Sequence, residues 1–512
     1  MNLPLLLEMS ADGLGDRVAF GSRMGGLSYA GLLDRSCRTA AWLNARQGQR
    51  VGLIDVNTLA VPILLYGSAQ AGKPFVPINY RLSDAQLRAV LDRITPAVVV
   101  ADPALVERAA DAVGPIDGIE FVSRDELLAE TDGGPGETQD APESTPQPAS
   151  PDDIALLLFT SGTTGEPKAA VLRQRHLVSY VISTVEFMSA AGDEEGQAAL
   201  ISVPPYHIAG VSAVLTSVYA GRRVVQLPVF EPAAWVEAAR DEAVTHAMVV
   251  PTMLGRILDV LERQTESLPA LRTLSYGGGR MPVPVIERAM RQLPHVDFVN
   301  AYGLTETSST IALLDPQDHR VAWASDEANV HRRLGSVGRP LPGVDLEIRD
   351  PEGNALPAGR RGEIWVRGDQ VSGEYLGQPG PAEGQWFPTH DAGILDDDGY
   401  LYLEGRLDDV IVRGGENMSP GEIEEVLISH RSVADAAVVG LPDTDWGEKV
   451  VAAVVPAEGA TVSAEELQAW VRGRLRSSKT PDRIEFRSQL PYTETGKLLR
   501  RVLRTELQNY QN

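Results

Sequence analysis

Through the first half of the chain, short runs of Val, Ile and Leu alternate with longer amphipathic stretches. Residues 50–56 and 74–78 are apolar runs of this kind, and residues 61–71 lie between them. Short apolar runs are typical of buried strands, and the longer stretches are typical of helices. This alternation predicts an α/β fold, and residues 96–101 and 118–123 extend it.

The pattern then changes along the chain. Residues 132–151 contain Gly, Pro, Glu, Ser, Thr and Gln with almost no hydrophobic residues, which predicts a mobile surface linker. Residues 335–405 are interrupted by glycines and alternate in polarity, which predicts a β-rich subdomain of short strands. We therefore expect a large N-terminal domain at residues 1–405, built of α/β subdomains and this β-rich part. A small α+β domain is expected at residues 406–512.

Composition narrows the class of protein. The 512 residues, 43% hydrophobic and 23% charged, are typical of a soluble globular protein with more than one compact unit. No stretch has the apolar length of a membrane span, and the N-terminus lacks the features of a signal peptide. The net charge of -24 argues against a nucleic-acid partner. A single cysteine, Cys37, fits a cytoplasmic protein, and its Ala-rich, helical surroundings predict a buried structural thiol.

A loop rich in Ser, Thr and Gly follows the apolar run at residues 154–159. It reads Thr160-Ser161-Gly162-Thr163-Thr164-Gly165-Glu166-Pro167-Lys168. Glycines let backbone amides approach phosphate oxygens, hydroxyls add donors, and Lys168 adds a positive charge, so phosphate is its natural ligand. Taken alone, the loop is equally well explained as a flexible connection before the helical pattern that resumes near residue 174.

Residues 67–73 match the first seven positions of a Walker A loop. Pro74 stands where that motif requires a hydroxyl for magnesium, and the segment runs into a predicted strand. We therefore interpret residues 67–73 as a turn, which argues against a P-loop kinase.

Further motifs follow the phosphate loop along the chain. They are the stretch from Leu157 to Val171, then Pro204-Pro205-Tyr206-His207-Ile208-Ala209-Gly210, Tyr276-Gly277-Gly278-Gly279, Asn300-Ala301-Tyr302-Gly303-Leu304-Thr305-Glu306-Thr307, Gly405-Arg406-Leu407-Asp408-Asp409 and Thr495-Gly496-Lys497. Together they resemble the adenylate-forming superfamily, and the pattern is most similar to acyl-CoA synthetases, the carboxylic acid-CoA ligases. The resemblance covers essentially the whole chain.

This resemblance implies a two-step reaction that uses ATP, Mg²⁺ and coenzyme A. A carboxylate attacks the α-phosphorus of ATP to give acyl-AMP and pyrophosphate, and a thiol, usually that of coenzyme A, then displaces AMP. The implied partners are therefore a small carboxylic acid, ATP and an acyl acceptor, and a homodimer is left open.

The resemblance also implies which residues bind the nucleotide. They are Thr160, Ser161, Gly162, Thr163, Thr164, Gly165, Lys168, Gly277, Gly278, Gly279, Asn300, Ala301, Tyr302, Gly303, Asp391 and Arg406. In the family, the loop holds the β- and γ-phosphates, Tyr302 stacks on adenine, and Asp391 and Arg406 bind the ribose. The chain departs from the family at His390, where glycine is usual. A histidine at this position could change the geometry of the local turn. The simplest interpretation is that the side chain of His390 faces solvent.

Four residues are implied in the chemistry. Lys497 matches the lysine that bridges the attacking carboxylate and the α-phosphate, Thr305 matches the hydroxyl on that phosphate, and Glu306 matches the acid that holds magnesium. His207 matches a position beside the substrate carboxylate, in an acyl pocket with Tyr206 and Gly210. Residues 204–210 contain no aspartate that could pair with an α-amine, so a non-amino carboxylic acid is favoured.

The C-terminal domain is expected to move. Asp408 matches the family hinge, around which this small domain turns between the two steps, and an immobile turn is the alternative. Arg413, Gly414 and Gly415 match the loop that lines the pantetheine tunnel. Two further alternatives stay open, namely transfer to a carrier-protein thiol, an amine or a partner enzyme, and a nucleotide-binding regulator without turnover.

Overall fold

The computed structural model describes residues 1–113, 116–132, 149–160, 168–189, 196–382, 384–457, 459–493 and 498–509. Within these ranges, strands form sheets of nine, seven, five and four strands, with helices packed around them. The α/β organisation predicted from the sequence is confirmed. Among the described helices, none has both the length and the apolar composition needed to cross a membrane.

The helices follow the amphipathic stretches of the sequence. In the described ranges they are α1 (Leu3–Leu14), α2 (Tyr29–Asn44), α3 (Ala60–Gln70), α4 (Asp84–Ile94), α5 (Pro103–Val113), α6 (Arg124–Glu130), α7 (Gln174–Thr184), α8 (Ile208–Ala220), α9 (Pro232–Asp241), α10 (Pro251–Gln264), α11 (Val283–Gln292), α12 (Pro316–Ala324), α13 (Ala328–His331), α14 (Pro420–Ile428), α15 (Ala464–Arg472) and α16 (Arg500–Asn509). Local chemistry sets their starts, as where Ser83 and Gln86 form a capping box at α4.

The nine-stranded sheet is parallel in its centre. Across the sheet its strands are β15 (Arg339–Pro340), β14 (Ser309–Leu314), β13 (Asp297–Leu304), β12 (Thr273–Gly277), β11 (His246–Val249), β9 (Ala198–Ile201), β10 (Arg223–Gln226), β1 (Val18–Ser22) and β2 (Gly25–Ser28). Because β12 and β13 are parallel neighbours, their carboxyl ends meet at one edge. Ligands of open α/β sheets bind at this kind of edge, and two of the predicted nucleotide motifs begin there.

The seven-stranded sheet holds the strand that precedes the phosphate loop. Across the sheet its strands are β18 (Glu374–Tyr375), β8 (Lys168–Arg173), β7 (Ile154–Thr160), β4 (Phe75–Pro77), β3 (Arg50–Ile54), β5 (Ala97–Ala101) and β6 (Ile119–Ser123). Its central strands are parallel, and all five residues of β5 are buried. Burial on both faces explains why these strands are continuous apolar runs.

Two smaller sheets complete the fold. The four-stranded sheet is antiparallel and consists of β16 (Asp345–Arg349), β17 (Arg361–Arg367), β19 (Phe387–Leu395) and β20 (Leu401–Arg406). The five-stranded sheet consists of β22 (Glu416–Met418), β21 (Ile411–Arg413), β24 (Gly447–Pro456), β23 (Val433–Asp443) and β25 (Arg483–Phe486). The chain passes from one sheet to the other between residues 406 and 411. A domain boundary near Arg406 stays a prediction, and most of the predicted linker lies outside the described residues.

The helix predicted near residue 174 is present, but a strand that the sequence did not predict lies between it and the phosphate loop. Lys168 begins β8, which pairs antiparallel with β7 and places Lys168 opposite Thr160. Residues 161–167 lie outside the described ranges and connect these two paired strand ends. The short run at residues 168–173 belongs to a strand because its residues pack into the sheet, and α7 begins only at Gln174.

The turn predicted at residues 67–73 is confined to residues 71 and 72, and the predicted burial of Cys37 is wrong. Residues 67–70 are the last turn of α3, and Lys73 donates hydrogen bonds to the Leu43 and Arg46 carbonyls at 2.6 and 3.1 Å. Cys37 is exposed, although it lies in the predicted helix α2. The helical period buries Leu32, Ser36 and Leu43 and leaves Cys37 on the outer face.

Candidate active site

Asp391, Arg406 and Tyr302 form a connected group. Arg406 Nη1 donates to Oδ1 of Asp391 at 2.9 Å, and the Tyr302 hydroxyl donates to Oδ2 at 2.7 Å. Burial raises the pKa of Tyr302, and the negative Asp391 raises it further, so the phenol stays protonated and donates. Burial lowers the pKa of Arg406, but Asp391 and Glu306 outweigh this effect and hold it above its ordinary value. The predicted adenine and ribose residues therefore share one electrostatic network.

Asp391 lies in a bulge of β19. Between its pairings with β17, residues 388–392 of β19 face only residues 363–365. His390 produces the bulge with a φ of +59°, in the left-handed region that glycine adopts freely. The side chain of Thr389 fixes the turn, donating to the Ile364 carbonyl at 2.8 Å and accepting from the Asp391 amide at 3.1 Å. His390 therefore keeps the turn that a glycine would make.

The ring of His390 faces outward, as its simplest interpretation expected. Its side chain is 65% exposed, and Nδ1 lies 3.0 Å from Oε1 of Glu363. The departure from the family's glycine thus leaves the Asp391 carboxylate in contact with Tyr302 and Arg406.

Glu306 lies on a one-turn 3-10 helix after β13. Its carboxylate is buried, and Oε1 accepts a hydrogen bond from the Tyr375 hydroxyl at 2.6 Å. Lys168 reaches the same tyrosine, with Nζ 5.7 Å from the centre of the ring. Two residues expected on the phosphate side, Glu306 and Lys168, therefore converge on Tyr375.

The segment that carries Thr305 and Glu306 is tightly constrained. Ser308 and Ser309 have φ values of +57° and +103°. The buried Gln370 amide donates to the Thr307 and Thr310 carbonyls at 3.1 and 2.6 Å, on either side of this pair. A strained backbone persists only where its surroundings enforce it, and Gln370 does so here.

The structure requires glycine at positions 277 and 278 for different reasons. A Cβ at Gly277 would meet the Ala301 carbonyl oxygen at 2.3 Å, and Gly278 has a φ of +78°. Gly303 likewise faces the Ser309 carbonyl, where a Cβ would lie at 1.7 Å. Asn300 is buried and donates to the Ser336 carbonyl at 2.8 Å, so its amide nitrogen supports the strand end. Nucleotide contact by these residues stays a prediction.

The predicted acyl-pocket residues lie together at the start of α8. Tyr206 is buried with its ring centre 4.7 Å from that of His207 and 5.7 Å from that of Tyr80. His207 precedes the first residue of α8 and is partly exposed. The open side of Gly210 faces the Pro204 carbonyl, 2.6 Å from the position of a Cβ, so glycine is needed there for helix packing.

The predicted hinge and tunnel residues lie on the C-terminal side of β20. Asp408 is in a 3-10 turn of residues 407–409. Arg413 donates to the Ser478 carbonyl at 3.1 Å and pairs with Asp482 at 2.7 Å. Gly414 and Gly415 both have positive φ values in the turn between β21 and β22. Their predicted roles toward coenzyme A are not tested by these contacts.

Several predicted residues lie outside the described ranges. They are Ser161, Gly162, Thr163, Thr164, Gly165 and Lys497. Thr160 and Lys168, at the ends of the loop, are described and face each other across β7 and β8.

Family models match almost the whole chain. A model described as AMP-binding enzyme matches residues 7–376, and a model described as AMP-binding enzyme C-terminal domain matches residues 422–497. The chain belongs to the AMP-binding enzyme family. The resemblance to adenylate-forming enzymes inferred from the sequence motifs is thereby confirmed.

Individual proteins resemble this AMP-binding enzyme over nearly its full length. Feruloyl-CoA synthase of Amycolatopsis sp is 34% identical over 487 residues, covering 93% of each chain. The fatty acid-[acyl-carrier-protein] ligase ScoC of Streptomyces coeruleorubidus is 32% identical, covering 93% of this chain and 91% of its own. The structure of o-succinylbenzoate CoA synthetase (MenE) from Bacillus subtilis, in complex with an acyl-adenylate intermediate, is 28% identical with a TM-score of 0.81, covering 97% of each chain.

The carboxylate of Glu306 fits a magnesium ion that arrives with a nucleotide. Among the described residues of this AMP-binding enzyme, no cluster of three or more His, Cys, Asp or Glu side chains could hold a metal by itself. Magnesium is commonly held by one or two carboxylates together with substrate phosphates and water. In the described part of the chain, Tyr375 is the hydrogen-bond donor to Oε1 of Glu306, and Oε2 accepts no hydrogen bond.

Sequence reasoning missed Tyr375 and Gln370. Neither belongs to a motif that distinguishes it from an ordinary strand or loop residue. Their roles depend on contacts with residues more than 55 positions away.

Proposed function

We propose that this chain joins a carboxylic acid to coenzyme A in two steps. The acid attacks the α-phosphorus of ATP, forming acyl-AMP with loss of pyrophosphate. The thiol of coenzyme A then attacks the acyl carbonyl, and AMP leaves. One observation carries the proposal: Tyr302 and Glu306 of one motif meet Asp391 and Arg406, from two other segments of the chain, in one network of an AMP-binding enzyme.

The network suits a ribonucleotide. Within the described ranges, each carboxylate oxygen of Asp391 accepts one side-chain hydrogen bond and retains a lone pair for a ribose hydroxyl. Arg406 stays positively charged beside it, and the ring of Tyr302 supplies an aromatic surface for adenine. The chain's net charge of -24 disfavours ATP at long range, so this local cationic network must supply the attraction.

Adenylation brings two anions together and therefore needs concentrated positive charge. We assign Lys168 and the loop at Thr160 to the β- and γ-phosphates, Thr305 to the α-phosphate, and Lys497 to the contact between the α-phosphate and the attacking carboxylate. Glu306 would hold magnesium, which when bound neutralises phosphate charge as a Lewis acid.

The substrate is proposed to be a carboxylic acid without an α-ammonium group. The segment of residues 204–210 carries His207 and no acidic side chain to pair with an amine. Feruloyl-CoA synthase and o-succinylbenzoate CoA synthetase, both similar along nearly the whole chain, are named for aromatic acids. An aromatic acid is therefore the first class to test.

A second acceptor has specific support. ScoC, which is 32% identical, is named for transfer of a fatty acid to an acyl-carrier protein. Adenylate formation without turnover on coenzyme A would favour a carrier-protein thiol as the acceptor.

An ATP-pyrophosphate exchange screen tests both steps. The panel contains ferulate, o-succinylbenzoate, a fatty acid and an α-amino acid, and AMP release is measured with and without coenzyme A. We expect exchange with at least one non-amino acid and coenzyme A-dependent AMP release for the same acid. Exchange with the α-amino acid alone, or no exchange with any acid, contradicts the proposal.

A variant of Lys497 tests the assignment of the first step. Lys497→Ala should lower acid-dependent exchange by on the order of a hundredfold or more, because one preorganised donor to the transition state is lost. Arg501→Ala removes an exposed cation four residues later in the chain and serves as the control. Unchanged exchange in Lys497→Ala would remove this residue from the first step.

A cytoplasmic location is proposed with this function. It rests on a single cysteine and on the small polar co-substrates that the reaction needs.

A further inference from the structure

Tyr375 makes a specific contact with a buried acid. Its hydroxyl donates to Oε1 of Glu306 at 2.6 Å, the short distance typical of a charge-assisted hydrogen bond. Glu306 is 8% exposed, so its carboxylate has lost most of its water and depends on this donor.

The backbone just before Tyr375 also binds the main chain of Glu306. The amides of Ser372 and Gly373 both donate to the carbonyl oxygen of Glu306, at 2.9 and 3.1 Å. Gln370 lies in the same segment. Its side-chain amide donates to the Thr307 and Thr310 carbonyls, on either side of the two serines with positive φ. Residues 370–375 thus fix both the main chain and the side chain of Glu306.

Tyr375 is also joined to the strand that begins at Lys168. It pairs with Ala170 of β8, and the amide of the following Leu376 donates to the Ala169 carbonyl at 2.9 Å. Nζ of Lys168 lies 5.7 Å from the centre of the Tyr375 ring, a cation-π distance. One side chain therefore touches both the acid and the lysine expected on the phosphate side of the site.

The direction of this contact leaves the other carboxylate oxygen for a ligand. The Tyr375 hydroxyl donates to Oε1 of Glu306, and among the described residues no hydrogen bond is donated to Oε2. The bond to Oε1 therefore fixes the orientation in which Oε2 is presented.

We propose that Tyr375 is a positioning residue that orients the Glu306 carboxylate for a nucleotide-bound divalent cation while its ring supports Lys168. The proposal rests on the proposed function only through the assignment of Glu306 and Lys168 to ATP. Tyr375 itself takes no part in bond making, and its effect is exerted through Glu306.

The experiment measures binding as well as activity. ATP and AMP affinities are determined by calorimetry over a range of Mg²⁺ concentrations for the wild type, Tyr375→Phe, Glu306→Gln and the double variant. Tyr375→Phe keeps the ring beside Lys168 and removes only the donor. Tyr400→Phe is the matched control, because the Tyr400 hydroxyl donates to Oδ1 of Asp318 at the same distance of 2.6 Å.

For Tyr375→Phe we expect the Mg²⁺ concentration for half-maximal ATP binding to rise by about fivefold or more, because the Glu306 carboxylate loses the hydroxyl that fixes its orientation. AMP affinity without metal should stay within about twofold, since AMP lacks the phosphates that share the cation. The double variant should bind ATP no more weakly than Glu306→Gln, because residues that act through one group are not additive. Tyr400→Phe should match the wild type.

Three results would overturn the proposal. They are an unchanged Mg²⁺ dependence in Tyr375→Phe, a double variant that loses the sum of the two single effects, and a Tyr375→Phe protein that fails to fold while Tyr400→Phe folds. The last result would make Tyr375 a structural residue. Because these outcomes are read from nucleotide binding, they stand apart from the acid screen, whose failure would count against the proposed function alone.

Discussion

Asp391 and Arg406 face each other as register partners on β19 and β20, and their side chains form a 2.9 Å ion pair. The pair lies where the strand bulges, so the Asp391 carboxylate also reaches the Tyr302 hydroxyl. A backbone irregularity thus brings Asp391 and Arg406 to Tyr302, which lies 89 positions before Asp391 in the chain.

Asp391→Asn tests this network. The amide keeps the shape but removes the charge that Arg406 pairs with, so AMP affinity should fall on the order of tenfold, the cost of a charged hydrogen bond. Asp345→Asn, which removes the carboxylate of an exposed ion pair with Arg367, should leave AMP affinity unchanged. Calorimetric titration with AMP measures both variants. If Asp391→Asn binds AMP as tightly as the wild type, the charge of Asp391 does not contribute to AMP binding.

Two substitutions at His390 test the strained turn. His390→Gly should change the free energy of unfolding by less than about 1 kcal/mol, because glycine adopts a φ of +59° freely but adds entropy to the unfolded chain. His390→Ile should lower it by about 1 to 3 kcal/mol, since a β-branched residue fits this conformation poorly. Urea denaturation gives both values. Equal stability of the two variants would show that the turn adopts another conformation in solution.

Asp435 should make stability depend on pH. Burial raises the pKa of Asp435 to about 6, while the Tyr492 hydroxyl at 3.1 Å lowers it in part. The folded state therefore holds a proton that the unfolded state releases near pH 4, so this group's contribution is full below pH 4 and is lost as pH rises through 6. The lost contribution is on the order of 3 kcal/mol, since each pKa unit corresponds to about 1.4 kcal/mol.

Asp435→Asn measures this contribution directly, since asparagine is neutral and can still accept from Tyr492. Relative to wild type, the variant should gain stability progressively between pH 4 and pH 7 in urea denaturation. Asp326→Asn, at an exposed position, is the control. A stability difference that stays constant over this range would contradict the buried, protonated state of Asp435.

A substitution at Asp408 tests the predicted hinge. Arg280, which follows the glycines after β12, donates to the Gly421 carbonyl at 2.7 Å and pairs with Glu425 at 2.6 Å, so a rotation about Asp408 must break these contacts. Asp408→Pro restricts the backbone at the turn. We expect acid-dependent ATP-pyrophosphate exchange to persist while thioester formation falls by about tenfold or more, because only the second step needs the rotation.

The control for the hinge is Arg280→Ala, which removes the contact without stiffening the backbone and should not lower thioester formation as Asp408→Pro does. Exchange assays and coenzyme A-dependent AMP release are compared for both variants. A parallel loss of both activities in Asp408→Pro would argue for misfolding or for a fixed domain arrangement.

Motif order was sufficient to select Glu306, Asp391 and Arg406, because their neighbours in the chain carry the pattern. Tyr375 could not be selected in this way, since its partners Glu306 and Lys168 lie 69 and more than 200 positions away and no local spacing reports such contacts. Strand β8, which follows the phosphate loop, was missed for a related reason. Residues 168–173 form a strand because β7 pairs with them.

The sequence by itself determined the α/β class, the family and the candidate nucleotide residues, because apolar periodicity and ordered motifs are local properties of the chain. Only the tertiary structure decided that His390 adopts a glycine-like turn, that Cys37 is exposed, and that Tyr375 connects Glu306 with Lys168. Backbone conformation, helix orientation and long-range hydrogen bonds depend on what packs against each segment. Recognising the Asp391-Arg406 pair required both the sequence and the structure. The motifs identified the two residues, and the bulged strand brings them into contact.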